Sequence, residues 1–490
     1  MSTFHGLEMA RQALSAQQSG LYTTGHNISN ANTEGYTRQR VNFETMNPYP
    51  TGSRNRPEMP GQIGTGVKAG SIERIRNQFL DIQFRGENSK SGYWETKAKT
   101  LSRLENVMNE PSESGLSKTM DQFWQSLQDL SVNPENSGAK SVVLQRGHAV
   151  ADTFNYLSKS LNNIRRDLKS EIDTTVKDAN SLIEQIHGIN EQIKQIEPHG
   201  YQANDLYDER DRLIDELSNI VDIKVTRDSS GESSPKTADG LKTIEVVDSN
   251  GNVLGKLVDG ENGEYNHITI GYSGEGENEG VSSITIGEDP DASILDANGS
   301  LKGLIESFGS IGTEGDQPAG MYPDMIKNLN TMAFEFAKEF NDVHGDPQFF
   351  NEITEENGAA GAINVILSDP EDIRASNDDN AGNGGKASEL AEIFNKGLDG
   401  LGGKSVKGYL ESLIGTLGVD AQQANRMSNN TAVLRGQVED QRMSVSSVSL
   451  DEEMSNMIKF QHAYNAAARS MTTMDEMLDR IINNMGLVGR

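Results

Sequence analysis

Cysteine is absent from this 490-residue sequence, and tryptophan occurs only twice. Without cysteine the chain can form no disulfide bond, thiolate metal ligand or cysteine nucleophile. No apolar run approaches the roughly 18 residues that a membrane-spanning helix needs. The N-terminus lacks both a basic region and an apolar stretch, so we expect no Sec-type signal peptide and, for a secreted chain, another export route.

Apolar and basic residues are also scarce. Hydrophobic residues make up 34% of the chain and aromatic residues 6%, which is low for a globular enzyme of this length. The length predicts two to four domains, with thin helical cores and a small β region rather than one large core. The formal net charge of −29 disfavours nucleic acids and anionic membranes as partners.

Catalytic and metal-binding constellations are missing too. The eight histidines are dispersed along the chain, and none belongs to a His-Glu-x-x-His zinc helix. We therefore predict no enzymatic activity, no cofactor and no metal site.

The most regular pattern lies at the C-terminus. Between Leu450 and Met485, apolar residues recur at alternating steps of three and four, as in the seam of a coiled coil. This seam comprises Met457, Phe460, Tyr464, Ala467, Met471, Met474, Leu478, Ile481 and Met485. A helix with such a seam needs a partner helix, either within an ordinary bundle core or in an assembly of subunits.

A second seam lies at the N-terminus. Leu7, Leu14, Leu21 and Ile28 are seven residues apart, which predicts another amphipathic helix. Pairing the two seams would make one discontinuous unit from both chain ends. Because single helices are marginally stable in water, we expect the ends to become ordered when they meet partners.

An asparagine-rich turn follows the N-terminal helix. Asn30, Asn32 and Gly35 suit a turn because asparagine caps amides and tolerates left-handed backbone, and glycine has no Cβ to clash. Tyr36 follows directly. A plain helix end with a loop is the simpler interpretation, but the density of the pattern favours a binding role for these four residues.

The middle of the chain reads as a helical body. Residues 42–70 contain four prolines and predict an extended connector, with helical periodicity from Ser71 onwards. A long helix from Ser141 to Ile196 and a second from Asn204, as N-cap, to Ile220 predict a rod-like helical hairpin. In the second helix, the charges from Glu209 to Arg212 predict an exposed face with ion pairs.

A β region interrupts the helices. Strand patterns lie at residues 241–247, 252–258, 267–272 and 281–286, and Asn250-Gly251 predicts a type I′ hairpin turn. Long acidic loops separate the strands. The predicted fold class is mainly α with an inserted β domain: a discontinuous terminal coiled coil, a long helical-hairpin body and a small outer β domain. The expected domains are 1–45 with 441–490, 46–225 with 301–440, and 226–300.

Both chain ends resemble one protein family. The segment HNISNANTEGYTRQ (residues 26–39), together with FQHAYNAAAR (460–469) and MDEMLD (474–479), resembles the matched terminal motifs of bacterial flagellar axial proteins. This family includes rod, hook and hook-associated proteins. The length and layout are most similar to the hook-associated proteins that join hook to filament.

The resemblance implies a structural role in the flagellum. It implies assembly through the terminal helices into a helical ring, with the hook protein and the next hook-associated protein as neighbours. It also implies passage through the flagellar export apparatus, with a cytoplasmic chaperone on the C-terminal helix. Two alternatives stay open: another axial protein, such as a hook or distal rod protein, and a secreted coiled-coil adhesin or enzyme unrelated to flagella.

Overall fold

The part of the chain that the structure describes is mainly helical, with three small sheets. A computed structural model describes residues 4–50, 54, 61–108, 115–287, 296–312, 317–377 and 382–484. With 63% helix and 13% strand, it confirms the predicted fold class. The helices are α1 (Phe4–Ser29), α2 (Gln78–Met108), α3 (Leu116–Val132), α4 (Ser137–Ile196), α5 (Asn204–Ile220), α6 (Ser300–Phe308), α7 (Met321–His344), α8 (Ala359–Ala362), α9 (Gly385–Glu392), α10 (Val406–Ser446) and α11 (Leu450–Asn484).

The 60-residue helix α4 is the backbone of the body. The Asn136 side chain caps its start by accepting hydrogen bonds from the amides of Gly138 and Ala139. The apolar seam predicted from the sequence lies inside: Leu161, Leu168 and Ile172 are fully buried. Because that seam continues to the last turn, packing stabilises the helix along its length.

Helix α5 folds back on the end of α4, so the predicted helical hairpin is present. The predicted N-cap is wrong, because Ala203 occupies that position without a side-chain hydrogen bond. The side-chain amide of Asn204 instead donates to the carbonyl oxygen of Ile72, 3.0 Å away.

An aromatic core joins α3, α4 and α7. The Phe123 ring stacks on Phe340 with 5.4 Å between centroids and lies 5.8 Å from Phe349. Gly147 of α4 faces this cluster, where an added Cβ would lie 2.5 Å from the Phe349 ring. A glycine at this position therefore lets a long helix approach the phenylalanines closely.

The strands form three antiparallel sheets. A two-stranded ribbon pairs β1 with β2, a four-stranded sheet has the order β3-β4-β5-β6, and β7 pairs with β8. Their ranges are β1 (Gln39–Thr45), β2 (Val67–Arg74), β3 (Ile223–Asp228), β4 (Leu241–Val247), β5 (Val253–Asp259), β6 (Glu264–Tyr265), β7 (Ile268–Ser273) and β8 (Gly280–Ile286).

Two asparagines of α4 fasten the β region to the body. Asn180 donates to the carbonyl oxygen of Ile268 at 2.9 Å and accepts from its amide at 2.8 Å. Asn190 makes the same pair of contacts with Lys242, at 2.9 and 3.3 Å. Each amide group thus satisfies backbone groups that would otherwise be left without partners.

The acidic loop between β7 and β8 packs onto α4. The guanidinium of Arg165, almost fully buried, donates to the carbonyl oxygens of Glu277, Glu279 and Phe308. The Glu277 carboxylate accepts from Asn330 of α7 at 2.9 Å. The loop therefore ties α4 to α7.

The Asn250-Gly251 turn lies where it was predicted but has another type. The amide of Gly251 donates to the carbonyl oxygen of Asp248, and the amide of Asp248 donates to that of Asn252. These bonds enclose a three-residue loop with Gly251 at φ 86°, instead of a two-residue type I′ turn.

The predicted connector at 42–70 has strands at both ends. Residues 39–45 and 67–74 pair as the β1–β2 ribbon, and α2 begins only at Gln78, so the helix expected from Ser71 is wrong over its first residues. The alternation of polar and half-buried residues in these strands hid them. Much of the stretch between the strands lies outside the described residues.

The chain ends form two antiparallel helix pairs, α1 with α11 and α2 with α10. In the second pair, the Arg442 guanidinium lies over the Phe84 ring, 4.2 Å from its centroid. Helix α10 ends at Ser446 and α11 begins at Leu450, so the chain turns between the pairs within a few residues. We call α1, the β1–β2 ribbon and α11 the terminal unit.

Candidate assembly site at the chain termini

The C-terminal seam faces α1. Phe460 covers Gly20, where an added Cβ would lie 3.2 Å from the ring, and Met474 covers Gly6. Leu478 is buried, Tyr464 and Ile481 remain exposed, and Met485 lies outside the described residues. The other seam residues are half-buried: Met457, Phe460, Ala467, Met471 and Met474. Pairing within one chain therefore leaves part of this seam open.

Helix α1 buries a different face from the one predicted. The leucine seam of Leu7, Leu14, Leu21 and Ile28 is only half-buried. The buried residues are small or polar: Ala10, Ala16, Gly20, Thr23, Thr24 and Asn27. Small side chains let the bulky α11 residues and the ribbon approach the α1 backbone. Periodicity missed this face because it carries little hydrophobic signal.

The asparagine-rich turn closes the end of α1. Asn30 donates to the carbonyl oxygen of His26 from both its backbone and its side chain, at 3.1 Å each. Gly35 has φ 79°, a backbone conformation that favours glycine. Asn32 is exposed. Of the four predicted residues, Asn30 and Gly35 thus shape the turn.

Asn27, just upstream, is the centre of this site. Its Oδ1 accepts from the Gln39 amide at 3.0 Å and from the Tyr36 hydroxyl at 2.8 Å. Its Nδ2 donates to the Gln39 carbonyl oxygen at 2.8 Å and to Glu453 Oε2 at 3.1 Å. The side chain therefore pairs with the outward-facing backbone of β1 as a neighbouring strand would.

Glu453 and Arg38 complete the connection to α11. Glu453 is 2% exposed, and its carboxylate accepts from Arg38 Nε at 2.8 Å as well as from Asn27. The Arg38 amide donates to the carbonyl oxygen of Ser446, the last residue of α10. The N-terminal motif and the beginning of α11 are thus joined by charge-assisted hydrogen bonds in a buried position. We call Asn27, Tyr36, Arg38, Gln39 and Glu453 the terminal latch.

Half of the charged segment of α5 is buried, and for that half the prediction of an exposed ion-pair face is wrong. Arg210 is 0% exposed and Asp211 5%, and only Glu209 and Arg212 pair on the surface. Asp211 contacts Arg74, Arg76 and Arg85 at 2.9, 3.1 and 3.3 Å. Arg74 and Arg76 flank the junction between β2 and α2, which no local pattern could place here.

The ion pairs around Asp211 extend to α10, which leads into the terminal unit from the C-terminal side of the chain. Asp215 accepts from Arg85 Nε at 2.7 Å and from Arg442, near the end of α10. Burial raises the pKa of Asp211, but its arginine neighbours outweigh burial and hold that pKa well below its usual value. We call this cluster the buried ion network: Arg74, Arg76, Asp81, Arg85, Asp208, Arg210, Asp211, Asp215, Asp239, Lys242 and Arg442.

Histidine, aspartate and glutamate side chains form no group of three placed to share a metal ion within the described residues. Across the same parts of the chain, none of the helices combines the length and apolarity needed to cross a membrane.

Three family models match the chain. "Flagella basal body rod protein" matches residues 7–37, and "Flagellar basal body rod FlgEFG protein C-terminal" matches residues 439–485. These two segments contain most of α1 with its turn, and α11. "Flagellar hook-associated protein FlgK helical domain" matches residues 101–352, which include α3 to α7 and the β region.

Relatives match all or part of the chain. Flagellar hook-associated protein 1 of Bacillus subtilis is 47% identical over all of both chains. The protein of that name from Salmonella typhimurium is 29% identical over 48% of this chain and 42% of its own. The solved structure of the flagellar hook junction protein FlgK from Burkholderia pseudomallei has a TM-score of 0.58 at 12% identity. It covers 74% of this chain and 100% of its own, and it shows a shared fold.

Paired terminal helices around a helical body define the chain as an axial structural protein of the flagellum. It belongs to the flagellar hook-associated protein 1 family and is a component of the hook–filament junction. Family membership decides between the alternatives left open by the sequence, in favour of a hook-associated protein over a hook or rod protein or an unrelated adhesin. The chain thus associates with other flagellar hook and filament proteins.

Proposed function

We propose that this chain forms a helical ring at the hook–filament junction by sharing the terminal unit between neighbouring copies. Each copy would present the open parts of the α1 and α11 seams to the next copy. Such contacts join two different surfaces of one chain and therefore generate rings or helical arrays. The role of the protein is then geometric, with no catalytic step.

The observation that carries this proposal is a second apolar stripe on α11. Met454 is 56% exposed and Ile458 54%, and Leu450, 49% exposed, precedes Met454 by one turn. Met454 and Ile458 lie outside the seam that faces α1, and Leu450 lies at the exposed start of that seam. A helix with apolar residues on two faces needs two partners, and α1 supplies one.

The proposed partners of the ring follow from its position between hook and filament. We assign the hook protein to one side of the ring and the next hook-associated protein to the other. In the cytoplasm, a dedicated export chaperone would cover the exposed apolar residues of α11 before the chain leaves through the flagellar export apparatus. That export would carry the protein to the extracellular flagellum.

The proposed division of labour follows the chain. Residues 1–45 and 441–490 would assemble, residues 46–225 and 301–440 would form the rigid body, and residues 226–300 would face outward. Asp239 and Lys242 of the β region belong to the buried ion network beside the terminal unit, so the outward part of residues 226–300 would be the side away from that network.

The test exchanges one exposed apolar residue for a polar one. Ile458→Ser should leave the thermal unfolding of the monomer unchanged, because the side chain contributes little to its core. In cells we expect bare hooks and flagellin released into the medium. Asp451→Ser, on the same helix and also exposed, is the matched control and should give normal filaments.

Two results would contradict the proposal. One is normal filaments on cells in which Ile458→Ser is combined with polar exchanges at Leu450 and Met454. This result would show that the stripe has no role in assembly. Loss of hooks, instead of filaments, in a strain that lacks the gene would place the chain elsewhere in the flagellum.

A further inference from the structure

A cleft of about 680 Å³ opens where the terminal unit meets the body. It lies between α1, strand β2 and the turn that joins α4 to α5. Two large aromatic side chains line it: Tyr22 on α1, 77% exposed, and Tyr201 in the turn, 69% exposed. Neither tyrosine belongs to the seams, the terminal latch or the buried ion network, and of the terminal latch Gln39 lines the cleft.

The chemistry of the cleft is aromatic with one negative charge. Strand β2 contributes residues 69–72, including Ile72, whose carbonyl oxygen already accepts from Asn204. Asp205 supplies the one carboxylate among the lining residues, its side chain is 72% exposed, and the lining contains no lysine or arginine. Such a cleft fits an extended segment with flat apolar rings and a positive charge.

One segment of this chain has that chemistry. The connector between β1 and β2, residues 46–66, carries prolines at 48, 50, 57 and 60. It also carries Arg54 and Arg56 against Glu58, a net charge of +1 in a chain of net charge −29. Proline-rich segments dock between aromatic side chains because they lose little conformational entropy on binding.

The connector of the same copy leaves the ribbon far from this cleft. Gly66, at its end, lies beside α1, where an added Cβ would be 3.0 Å from Gln12 and 3.7 Å from Met9. Tyr22 lies 13 residues beyond Met9, which is about 20 Å along the helix. We propose that the cleft receives the 46–66 connector of a second copy of this chain. This inference rests on the proposed ring, in which each copy meets the next through two different surfaces.

Introduced cysteines test this contact cleanly, because the native chain has none. The full-length double variant Ser53→Cys with Tyr201→Cys is expressed in cells, flagella are isolated, and mild oxidation is followed by non-reducing electrophoresis. We expect a ladder of dimers and higher multiples, since every copy would bond to two neighbours. Proximity should make the bonded fraction about tenfold higher than in the control.

The matched control is Ser53→Cys with Tyr156→Cys. Tyr156 is also a strongly exposed tyrosine, but it lies 40 residues before the end of α4, about 60 Å from the cleft along the helix. This pair should give no ladder. A third variant, Ser53→Cys with Thr237→Cys, places the thiol in the cleft and keeps both tyrosines, in case Tyr201→Cys hinders assembly.

Three outcomes would overturn the inference. If the variants with Tyr201→Cys and with Thr237→Cys both enter junctions but give no ladder, the connector does not occupy the cleft. The proposed ring would not be affected by that result. A disulfide within single chains would assign the cleft to the connector of the same copy. A product whose mass is no multiple of this chain would place another flagellar subunit there. Failure of the native chain to enter junctions would instead contradict the proposed function.

Discussion

At the scale of single residues, one buried amide performs the task of a β-strand. The ribbon β1–β2 has outward-facing backbone groups, and Asn27 satisfies both those of Gln39 while it holds Glu453. The sequence pattern identified the asparagine-rich turn as a whole but selected Asn30 and Asn32. The side-chain type alone does not distinguish a residue that caps its own helix from one that bridges two chain ends.

Replacing Asn27 with alanine should weaken the terminal unit selectively. The amide and carbonyl of Gln39 would lose partners in a buried position, which we expect to cost about 2–4 kcal/mol. Amide exchange at Arg40, which pairs with Glu73 of β2, would report the loss as faster opening. Asn32→Ala, in the same turn but exposed, should change the opening free energy by less than about 0.5 kcal/mol. Equal exchange rates at Arg40 in both variants would exclude the proposed role of Asn27.

At the scale of elements, periodicity predicted helices well and strands partially. Helices α3, α4, α5, α7 and α11 carry apolar stripes that fix their existence, and α4 ends before Pro198 as expected. The ribbon β1–β2 was missed because its strands bury only scattered residues. The buried face of α1 was missed because glycine, alanine and threonine pack through their small size, which periodicity of large apolar residues does not detect.

Two glycines of α1 allow the contribution of packing to stability to be measured apart from that of helix propensity. Gly25→Ala should stabilise the helix by about 0.5–1 kcal/mol, because an added Cβ meets nothing within 4 Å. Gly20→Ala has the same propensity gain but brings a Cβ to 3.2 Å from the Phe460 ring. We expect it to be less stable than Gly25→Ala by about 1–2 kcal/mol.

Urea denaturation followed by circular dichroism would compare these two variants. In a Phe460→Ala background the difference between them should disappear, since the ring that Gly20 accommodates is gone. A difference that survives the removal of this ring would show that α1 does not pack on Phe460.

At the scale of the whole molecule, charge joins the terminal unit to the body. Both segments that lead to the terminal unit enter the buried ion network, one through Arg74 and Arg76 and the other through Arg442. In sequence, the Asp-Glu-Arg-Asp-Arg run of α5 has the spacing of a solvated helix face. Asp211 is buried among arginines more than 100 residues before it, so local spacing could not reveal its burial. Buried ion pairs restrict geometry more than they stabilise, and this network therefore sets how the terminal unit lies on the body.

Neutralising Asp211 tests that role, with its neighbour Glu209 as the control. Asp211→Asn would leave three arginines short of a buried counter-charge, and we expect a loss of about 3–5 kcal/mol in the free energy of unfolding at pH 7. Glu209→Gln, on the same helix but at the surface, should cost less than about 0.5 kcal/mol. The pKa of folded Asp211 lies below its unfolded value, so its contribution is full above about pH 4 and is lost as the pH falls through the folded pKa. The gap between parent and Asp211→Asn in urea denaturation should therefore narrow towards low pH. A gap that stays constant or widens on acidification would mean that Asp211 does not act through its charge.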